Sequence, residues 1–176
     1  MVTIRKENKK DFIAIKALNN KAFGQTEEGI IIDRIRNSDA ETLSLVAEMD
    51  NKIVGHIFYS SAEIVWNNQV IKGMGLAPMA VLPGYQKQGI GKRLIHESLY
   101  LLIHKKLSFI IVLGHKDYYP KFGFETASKH GIKCQWNGVP DEVFMVMILD
   151  KEKMKGVKGT AKYCDEWDDA MQSESD

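Results

Sequence analysis

Residues 79–93, MAVLPGYQKQGIGKR, pass from an apolar run through a glycine-bearing loop into an amphipathic segment. The pattern predicts a strand that ends near Leu82, a turn at Pro83-Gly84 and a helix that starts at about Gly91. The N–H groups of a helix's first turn lack partners within the helix, and the helix dipole favours negative charge there. Gly89 and Gly91 allow a ligand to approach the backbone closely. The stretch therefore predicts an anion-binding loop.

Two common phosphate-binding motifs do not fit this loop. A Walker A loop has lysine directly after its second glycine, whereas Ile90 follows Gly89 here. A dinucleotide-binding G-x-G-x-x-G loop needs a third glycine, and this chain has Leu94 at that position. The pattern that remains is Q-x-x-G-x-G after an apolar strand. Because an ordinary strand–turn–helix carries the same pattern, the motif alone is a weak signal.

The remainder of the chain predicts one α+β domain around the loop. Strands are expected at 2–5, 42–49, 52–66, 69–82, 108–113 and 143–149, and helices at 11–23, 26–37 and 91–106, with a short helix or turn at 117–122. The strand 108–113 should lie parallel to the strand that ends at Leu82, with the helix 91–106 as the crossover. The loop would then open at the carboxyl end of the sheet, where such folds bind ligands.

Burial and order are also expected from the pattern. The second helix should turn Ile30, Ile31 and Ile35 inward, and the third should bury Leu94, Ile95, Leu99, Leu102 and Ile103. From Lys151 the chain is expected to form a loosely packed arm with an acidic end that frays from about Gln172.

Composition indicates a soluble globular protein. The 176 residues are 44% hydrophobic and 27% charged, without an apolar run long enough for a bilayer and without a signal-peptide pattern at the N-terminus. The expected compartment is the cytoplasm, with no membrane partner. Cys134 and Cys164 are too few for a disulfide framework, and His130 beside Cys134 has no further ligands nearby, so no metal is expected.

The charge is unevenly distributed along the chain. The net charge is +1, but the last twelve residues hold six acids and no base, which leaves +7 on residues 1–164. A basic body suits a polyanionic cofactor, and a solvated basic surface explains the same count. No recognition-helix pattern or basic cluster indicates a nucleic-acid partner.

A second motif follows the predicted strand 108–113. Residues 114–124 read GHKDYYPKFGF, in which Tyr119 is followed, after three residues, by Gly123-Phe124. Together with the first motif, this segment resembles the GNAT superfamily of N-acyltransferases, and the resemblance covers roughly residues 2–150. The sequence around both motifs is also similar to the YhbS-like predicted acetyltransferases of bacteria.

The resemblance implies a fold and a cofactor. It implies a GNAT-type mixed, mostly antiparallel sheet of about seven strands, splayed between strands 4 and 5 and flanked by about four helices. The domain would span 1–150, followed by the arm 151–176. The pantetheine of acetyl-CoA would lie in the splay and bind strand-edge groups of Met79 and Val81. The full set of implied cofactor-binding residues is Met79, Ala80, Val81, Gln86, Lys87, Gln88, Gly89, Gly91 and Lys92.

The implied reaction is transfer of an acetyl group from acetyl-CoA to a primary amine of a small molecule or protein. A phenol can protonate the leaving thiolate, and Tyr119 is the candidate by its motif position, with Tyr118 as the competitor. The general base stays open. Many relatives carry a glutamate on the fourth strand, but residues 71–82 hold no carboxylate. The remaining candidates are Glu48, Glu63, His115 or a water chain, although a structural hydrogen bond is the expected role of His115.

A second hypothesis from another class is a non-catalytic acyl-CoA-binding sensor, because the fourth-strand carboxylate is missing. The sequence identifies neither the acceptor amine nor the oligomeric state, and a homodimer is considered. The helix 26–37 and the segment 129–141 are expected to frame the acceptor pocket.

Overall fold

The helix and strand bounds agree closely with the sequence patterns through the first two thirds of the chain. The computed structural model describes residues 1–168, so the expected fraying from Gln172 lies outside the described residues. The strands are β1 Thr3–Lys6, β2 Thr42–Met49, β3 Lys52–Trp66, β4 Gln69–Val81, β5 Phe109–Leu113, β6 Glu125–Thr126, β7 Ile132–Cys134, β8 Phe144–Ile148 and β9 Gly159–Tyr163. The helices are α1 Phe12–Phe23, α2 Glu27–Arg36 and α3 Ile90–Ile103.

The strands form one mixed sheet. Its main path runs β1-β2-β3-β4-β5-β8-β6, with β9 paired to β3 and β7 paired to β9. Among the described residues, only β4–β5 and β7–β9 are parallel pairs. The predicted mixed, mostly antiparallel α+β architecture is confirmed, with nine strands in residues 1–168 where about seven were expected, and three α-helices where about four were expected.

β4 and β5 are joined over only part of their length. The parallel ladder runs from Gly73 opposite Phe109 to Leu76 opposite Val112, and β4 then continues to Val81 without β5 as a partner. The ladder from β4 to β3 also shifts register there, because β4 contains an extra residue around Pro78. The predicted splay between strands 4 and 5 is therefore confirmed.

Two predictions about buried helix positions are wrong. In α2, Ile31, Ile32 and Ile35 are buried, whereas Ile30 is 41% exposed. Ile30 and Ile35 are five positions apart, which places them about 140° apart around a helix, so they cannot share one narrow face. In α3, the last residue, Ile103, is 62% exposed although the other predicted positions are buried.

In the described residues after Lys151, which end at 168, the chain does not form the loosely packed arm that was expected. β9 pairs antiparallel with β3, with Tyr163 opposite Ala62, and its alternating residues Ala161 and Tyr163 are buried. The ring of Tyr163 lies so close to Gly75 of β4 that a side-chain carbon there would come within 2.3 Å of it. Trp167 is also buried. This segment is therefore part of the core.

A buried polar network ties α1 to the sheet. His56 of β3 is fully buried; its Nδ1 lies 3.1 Å from Asn19 Nδ2, and its Nε2 lies 2.9 Å from Ser44 Oγ. Because an amide nitrogen can only donate, Nδ1 accepts and Nε2 carries the proton. Ser44 then donates to Glu7 at 2.6 Å, and Glu7 also accepts from Arg36. A neutral His56 thus has both ring nitrogens hydrogen-bonded, and among the described residues of this network only the Asn19 side-chain oxygen lacks a partner.

This arrangement predicts a pH-dependent stability. Burial, and then the nearby positive charge of Arg36, lower the pKa of His56 to about 3, whereas an unfolded histidine has a pKa of about 6.5. Between these values the unfolded chain binds a proton that the folded chain does not, so the free energy of unfolding falls as pH falls. From pH 7 to 5 we expect a loss of about 2 kcal/mol from this group, measured by urea denaturation.

The matched variants are His56→Gln and His104→Gln, the second of which alters an exposed histidine. H56Q should be less stable at pH 7 and should lose most of the pH dependence between pH 7 and 5. H104Q should keep the parent's dependence. An H56Q protein that loses as much stability as the parent on acidification would contradict the assignment.

Candidate functional site

A cleft of about 830 Å³ opens where β4 and β5 part. The start of α3 and the preceding loop form one end, and the edge of β4 forms one wall. The segment that follows β5 and residues from the C-terminal part of the fold close the rest. The lining residues are Phe23, Glu28, Leu76, Ala77, Pro78, Met79, Val81, Tyr85, Gln86, Lys87, Gly89, Ile90, Gly91, Lys92, Leu113, Gly114, His115, Tyr118, Tyr119, Trp136, Tyr163 and Trp167.

The loop before α3 has the geometry of an anion site. Gly89 caps the helix with φ +80°, a left-handed conformation that favours glycine, and Lys87 also has a positive φ of 61°. The first N–H groups of α3 lack acceptors within the helix, and they start at the cleft. Lys87 and Lys92 are exposed at the same end. Backbone dipoles and side-chain charges therefore favour a negatively charged ligand here.

Most of the predicted loop residues come together at this end of the cleft. Gln86, Lys87, Gly89, Gly91 and Lys92 line the cleft. Gln88 does not; its side-chain amide donates to the carbonyl of Gly84 at 3.2 Å.

The edge of β4 presents unpaired backbone groups to the cleft. The N–H of Leu82 donates to Val54 on β3 at 2.9 Å, so in an antiparallel ladder the groups of Val81 and Met79 face away from β3. Both residues line the cleft, and β5 does not pair with either. Gln86 donates to the Val81 carbonyl at 3.0 Å, which leaves the Val81 N–H on the open side.

Ala80 was predicted together with Met79 and Val81, but it does not line the cleft. It is 4% exposed and lies opposite His56 in the ladder to β3. Because side chains and backbone groups alternate along a strand, the residue between two cleft residues faces the core.

Both tyrosines of the second motif line the cleft. Tyr119 is 7% exposed, and its ring packs against Gly114, where a side-chain carbon would come within 2.3 Å of it. Burial, and then the neighbouring Tyr118, raise the pKa of Tyr119 above its ordinary value. Burial also raises the pKa of the half-buried Tyr118. Both phenols therefore keep their protons at neutral pH and can act as donors.

The two hydroxyl groups differ in position. A side-chain carbon on Gly91 would come within 2.9 Å of the Tyr118 hydroxyl, so that hydroxyl lies against the first turn of α3. Tyr119 lies deeper, with its ring 5.3 Å from that of Tyr118 and 5.7 Å from that of Phe124.

Two candidates for the general base lie away from the cleft. Glu48 binds Arg5 through an oxygen 2.8 Å from Nε, and Glu63 is exposed opposite Lys72 on the neighbouring strand. His115 does line the cleft, with an exposed side chain. Its backbone carbonyl accepts from the N–H groups of Tyr118 and Tyr119, and the structural role expected of its side chain stays a prediction.

Sequence reasoning missed Glu28, which lines the cleft from the first turn of α2. The helix 26–37 was expected to frame the acceptor pocket, but periodicity alone did not distinguish this acid from Glu27 beside it. Glu28 Oε1 accepts from Gln25 Nε2 at 2.9 Å, while Oε2 is buried and has no hydrogen-bond partner among the described residues.

Three aromatic residues of the cleft contact one another, and two of them, Tyr163 and Trp167, were missed. Trp136 stacks on Tyr163 with ring centroids 5.4 Å apart, and Tyr163 meets Trp167 edge-on at 6.3 Å. Trp136 falls in the segment 129–141 that was expected to frame the pocket. Tyr163 and Trp167 belong to the segment that was expected to be loosely packed, so no sequence signal associated them with the site.

Two classes of feature are not found in residues 1–168. No group of three His, Cys, Asp or Glu side chains comes together in an arrangement that could hold a metal ion. None of the described helices combines the length and the apolar composition that a membrane crossing requires.

Comparison with known proteins gives a family and close structural neighbours. The acetyltransferase (GNAT) domain family matches residues 3–127. The uncharacterized N-acetyltransferase YhbS of Escherichia coli K12 is 30% identical over 161 residues, which cover 91% of this chain and 95% of that protein.

Two solved structures resemble this chain over 95% of its length. The crystal structure of Escherichia coli YhbS in complex with CoA has a TM-score of 0.87 at 29% identity and covers 95% of this chain and 92% of that chain. A GNAT family acetyltransferase from Brucella melitensis in complex with acetyl-CoA has a TM-score of 0.76 at 30% identity, with 95% and 98% covered.

Proposed function

This chain belongs to the acetyltransferase (GNAT) family, and from that premise we propose that its cleft binds acetyl-CoA and transfers the acetyl group to a primary amine. The observation that carries the proposal is the cleft where β4 and β5 part, with the first turn of α3 at one end. Two structural neighbours support it, since YhbS was crystallised with CoA and the Brucella protein with acetyl-CoA.

The cofactor would lie along the cleft with its phosphates on the loop. Free N–H groups of α3 and the charges of Lys87 and Lys92 suit a pyrophosphate. The pantetheine amides would pair with the backbone groups that Met79 and Val81 leave unpaired, much as an added strand does. The acetyl group would then reach the region between Val81 and Tyr119. No metal takes part in this proposal.

The chemistry requires an uncharged amine, an activated thioester and a protonated leaving group. The neutral amine attacks the thioester carbonyl, and a backbone N–H of Met79 or Val81 that the pantetheine leaves free stabilises the oxyanion that forms. As the carbon–sulfur bond breaks, Tyr119 donates its proton to the CoA thiolate, and the amide nitrogen loses a proton that restores the phenol. The raised pKa of Tyr119 suits this role, because the phenol stays protonated at neutral pH until the thiolate takes its proton.

The amine must lose a proton before it attacks, and a lysine-type amine has a pKa of about 10.4. Of the bases considered from the sequence, His115 or a water chain is compatible with the geometry, because Glu48 and Glu63 lie elsewhere. A cytoplasmic site of action is proposed as well, since Cys134 and Cys164 are free thiols, as is usual in reducing compartments. A homodimer stays a prediction.

The anion-loop assignment predicts the effect of one charge. In Gly91→Asp, the new carboxylate would stand at the first turn of α3 and crowd the Tyr118 hydroxyl. CoA affinity measured by calorimetry should fall at least about tenfold, because an attraction becomes a repulsion.

The matched control for this change is Gly84→Asp, which adds the same charge in the same loop. Gly84 does not line the cleft, and a side-chain carbon there would meet nothing within 4 Å. G84D should bind CoA within about threefold of the parent. Equal affinity of folded G91D and parent would exclude the loop as the phosphate site.

The role of Tyr119 predicts a loss of rate without a loss of binding. Tyr119→Phe keeps the ring that packs against Gly114 and removes only the hydroxyl. Turnover, followed as thiol release from acetyl-CoA with the best amine of a screen, should fall by at least about 10²-fold, while acetyl-CoA affinity should stay within a few-fold.

Tyr118→Phe is the comparison variant and should slow turnover much less, since that hydroxyl lies against α3. If Y118F is the crippled variant, the acid is Tyr118. If the parent binds acetyl-CoA tightly but acetylates no amine and hydrolyses no thioester, the cleft belongs to a sensor, and Tyr119 is a packing residue.

A further inference from the structure

Resting on the proposed function, we propose that the acceptor is a primary amine that enters as an ammonium ion bound by Glu28, carries an apolar, aromatic-type body, and has no carboxylate beside the amine. The proposal follows from three features of the cleft away from the phosphate loop: one incompletely bonded carboxylate, three aromatic side chains with their polar atoms already bonded, and the position of the positive charges.

The first feature is the carboxylate of Glu28. Three buried side-chain oxygens lack a hydrogen-bond partner among the described residues, and they belong to Asn19, Asn20 and Glu28. Of these, only Glu28 is a carboxylate and only Glu28 lines the cleft. A carboxylate oxygen that is shielded from water and receives no donor is unfavourable. If the Glu28 carboxylate turned toward the cleft, an ammonium group there would supply both the missing donor and the opposite charge.

The second feature is the wall formed by Trp136, Tyr163 and Trp167. Their polar atoms are all bonded within the protein: Trp136 Nε1 donates to Asp168 at 2.9 Å, the Tyr163 hydroxyl to the Leu76 carbonyl at 3.2 Å, and Trp167 Nε1 to Ser60 at 3.2 Å. What these side chains offer the cleft is ring surface, and most of it comes from the half-buried Trp136, because Tyr163 and Trp167 are only 3% and 7% exposed. Such a surface favours an apolar or aromatic body over a polyhydroxylated one.

Glu28 and this aromatic wall line the same cleft. α2, which carries Glu28, packs against the turn that carries Trp167, and both residues line the same cleft. Trp167 in turn contacts Tyr163, and Tyr163 contacts Trp136. A ligand whose amine binds Glu28 would therefore extend along a cleft whose lining includes these rings.

The third feature is the distribution of positive charge. Among the described residues that line the cleft, the lysines and arginines are Lys87 and Lys92, both at the phosphate loop. A carboxylate next to the acceptor amine, as in a free amino acid, would lie near Glu28 without a lysine or arginine partner. Amino acids should therefore be poor acceptors compared with the corresponding decarboxylated amines.

The test compares 2-phenylethylamine with L-phenylalanine, which differ by one carboxylate. Acetyl transfer is measured with saturating acetyl-CoA, and amine binding is measured by calorimetry in the presence of CoA, so that binding is read without turnover. We expect phenylethylamine to bind at least about tenfold more tightly and to give the higher kcat/KM, because both ligands offer the ammonium group but only phenylalanine brings a carboxylate, which would lie near Glu28 without a positive partner.

Glu28→Gln should abolish most of that preference by weakening phenylethylamine at least about tenfold, while CoA affinity in the absence of amine stays unchanged. The matched control is Glu27→Gln, which changes an exposed neighbour outside the cleft and should bind both ligands as the parent does.

The outcomes separate the two proposals. Phenylalanine bound or acetylated as well as phenylethylamine, or E28Q indistinguishable from the parent, overturns the acceptor assignment and leaves acetyl transfer standing. Binding of phenylethylamine that depends on Glu28, without any turnover, supports the acceptor site and overturns the transferase proposal. Absence of phenylethylamine binding overturns the acceptor assignment.

Discussion

The partial pairing of β4 and β5 is the constraint on which the rest of the structure depends. A parallel pair normally uses the backbone groups of both strands, and here the ladder stops after Leu76 and Val112 while β4 runs on. The groups left over on β4 are obligatory hydrogen-bonding groups at the edge of a cleft. α3 connects the two strands, so its first turn is held at the mouth of the cleft. The chain that leaves β5 brings Tyr119 into the cleft and the Tyr118 hydroxyl against that turn.

Chemical character changes along the cleft because different parts of the chain build its two ends. The loop end carries lysines and helix N–H groups, which suit anions. The other end is formed by α2 and by residues after 135, and there the groups are one carboxylate and aromatic rings. Ligands that fit the two ends therefore differ: the loop end suits an anionic group, and the other end suits a cationic group with an apolar body. The direction of a molecule in the cleft is therefore set by the protein's own charge pattern.

Local sequence patterns predicted the parts of the fold that are locally determined. β2 and β3 match their predicted bounds because two-residue turn signals flank strongly β-prone runs. The loop at Gly89 was found because glycine, proline and helix start follow one another in the sequence. Long-range pairing was not visible from the sequence. β9 is a five-residue strand that is held in place by β3 and β7, and Gly156 and Gly159 indicated a loose segment. The same limit hid Glu28 and Tyr163, whose roles depend on which distant residues they meet.

Several residues of the aromatic wall serve the interior and the cleft together. Tyr163 fills the space above Gly75 and Trp167 is bonded to Ser60, and both are nearly inaccessible to water. Reshaping the wall at these two positions would leave a cavity in the core, so a new ligand preference gained there trades against folding stability. Trp136 is only half-buried, so a change at that position would reduce folding stability less. A change of ligand preference, in evolution or in the laboratory, would therefore lose the least folding stability if it began at position 136.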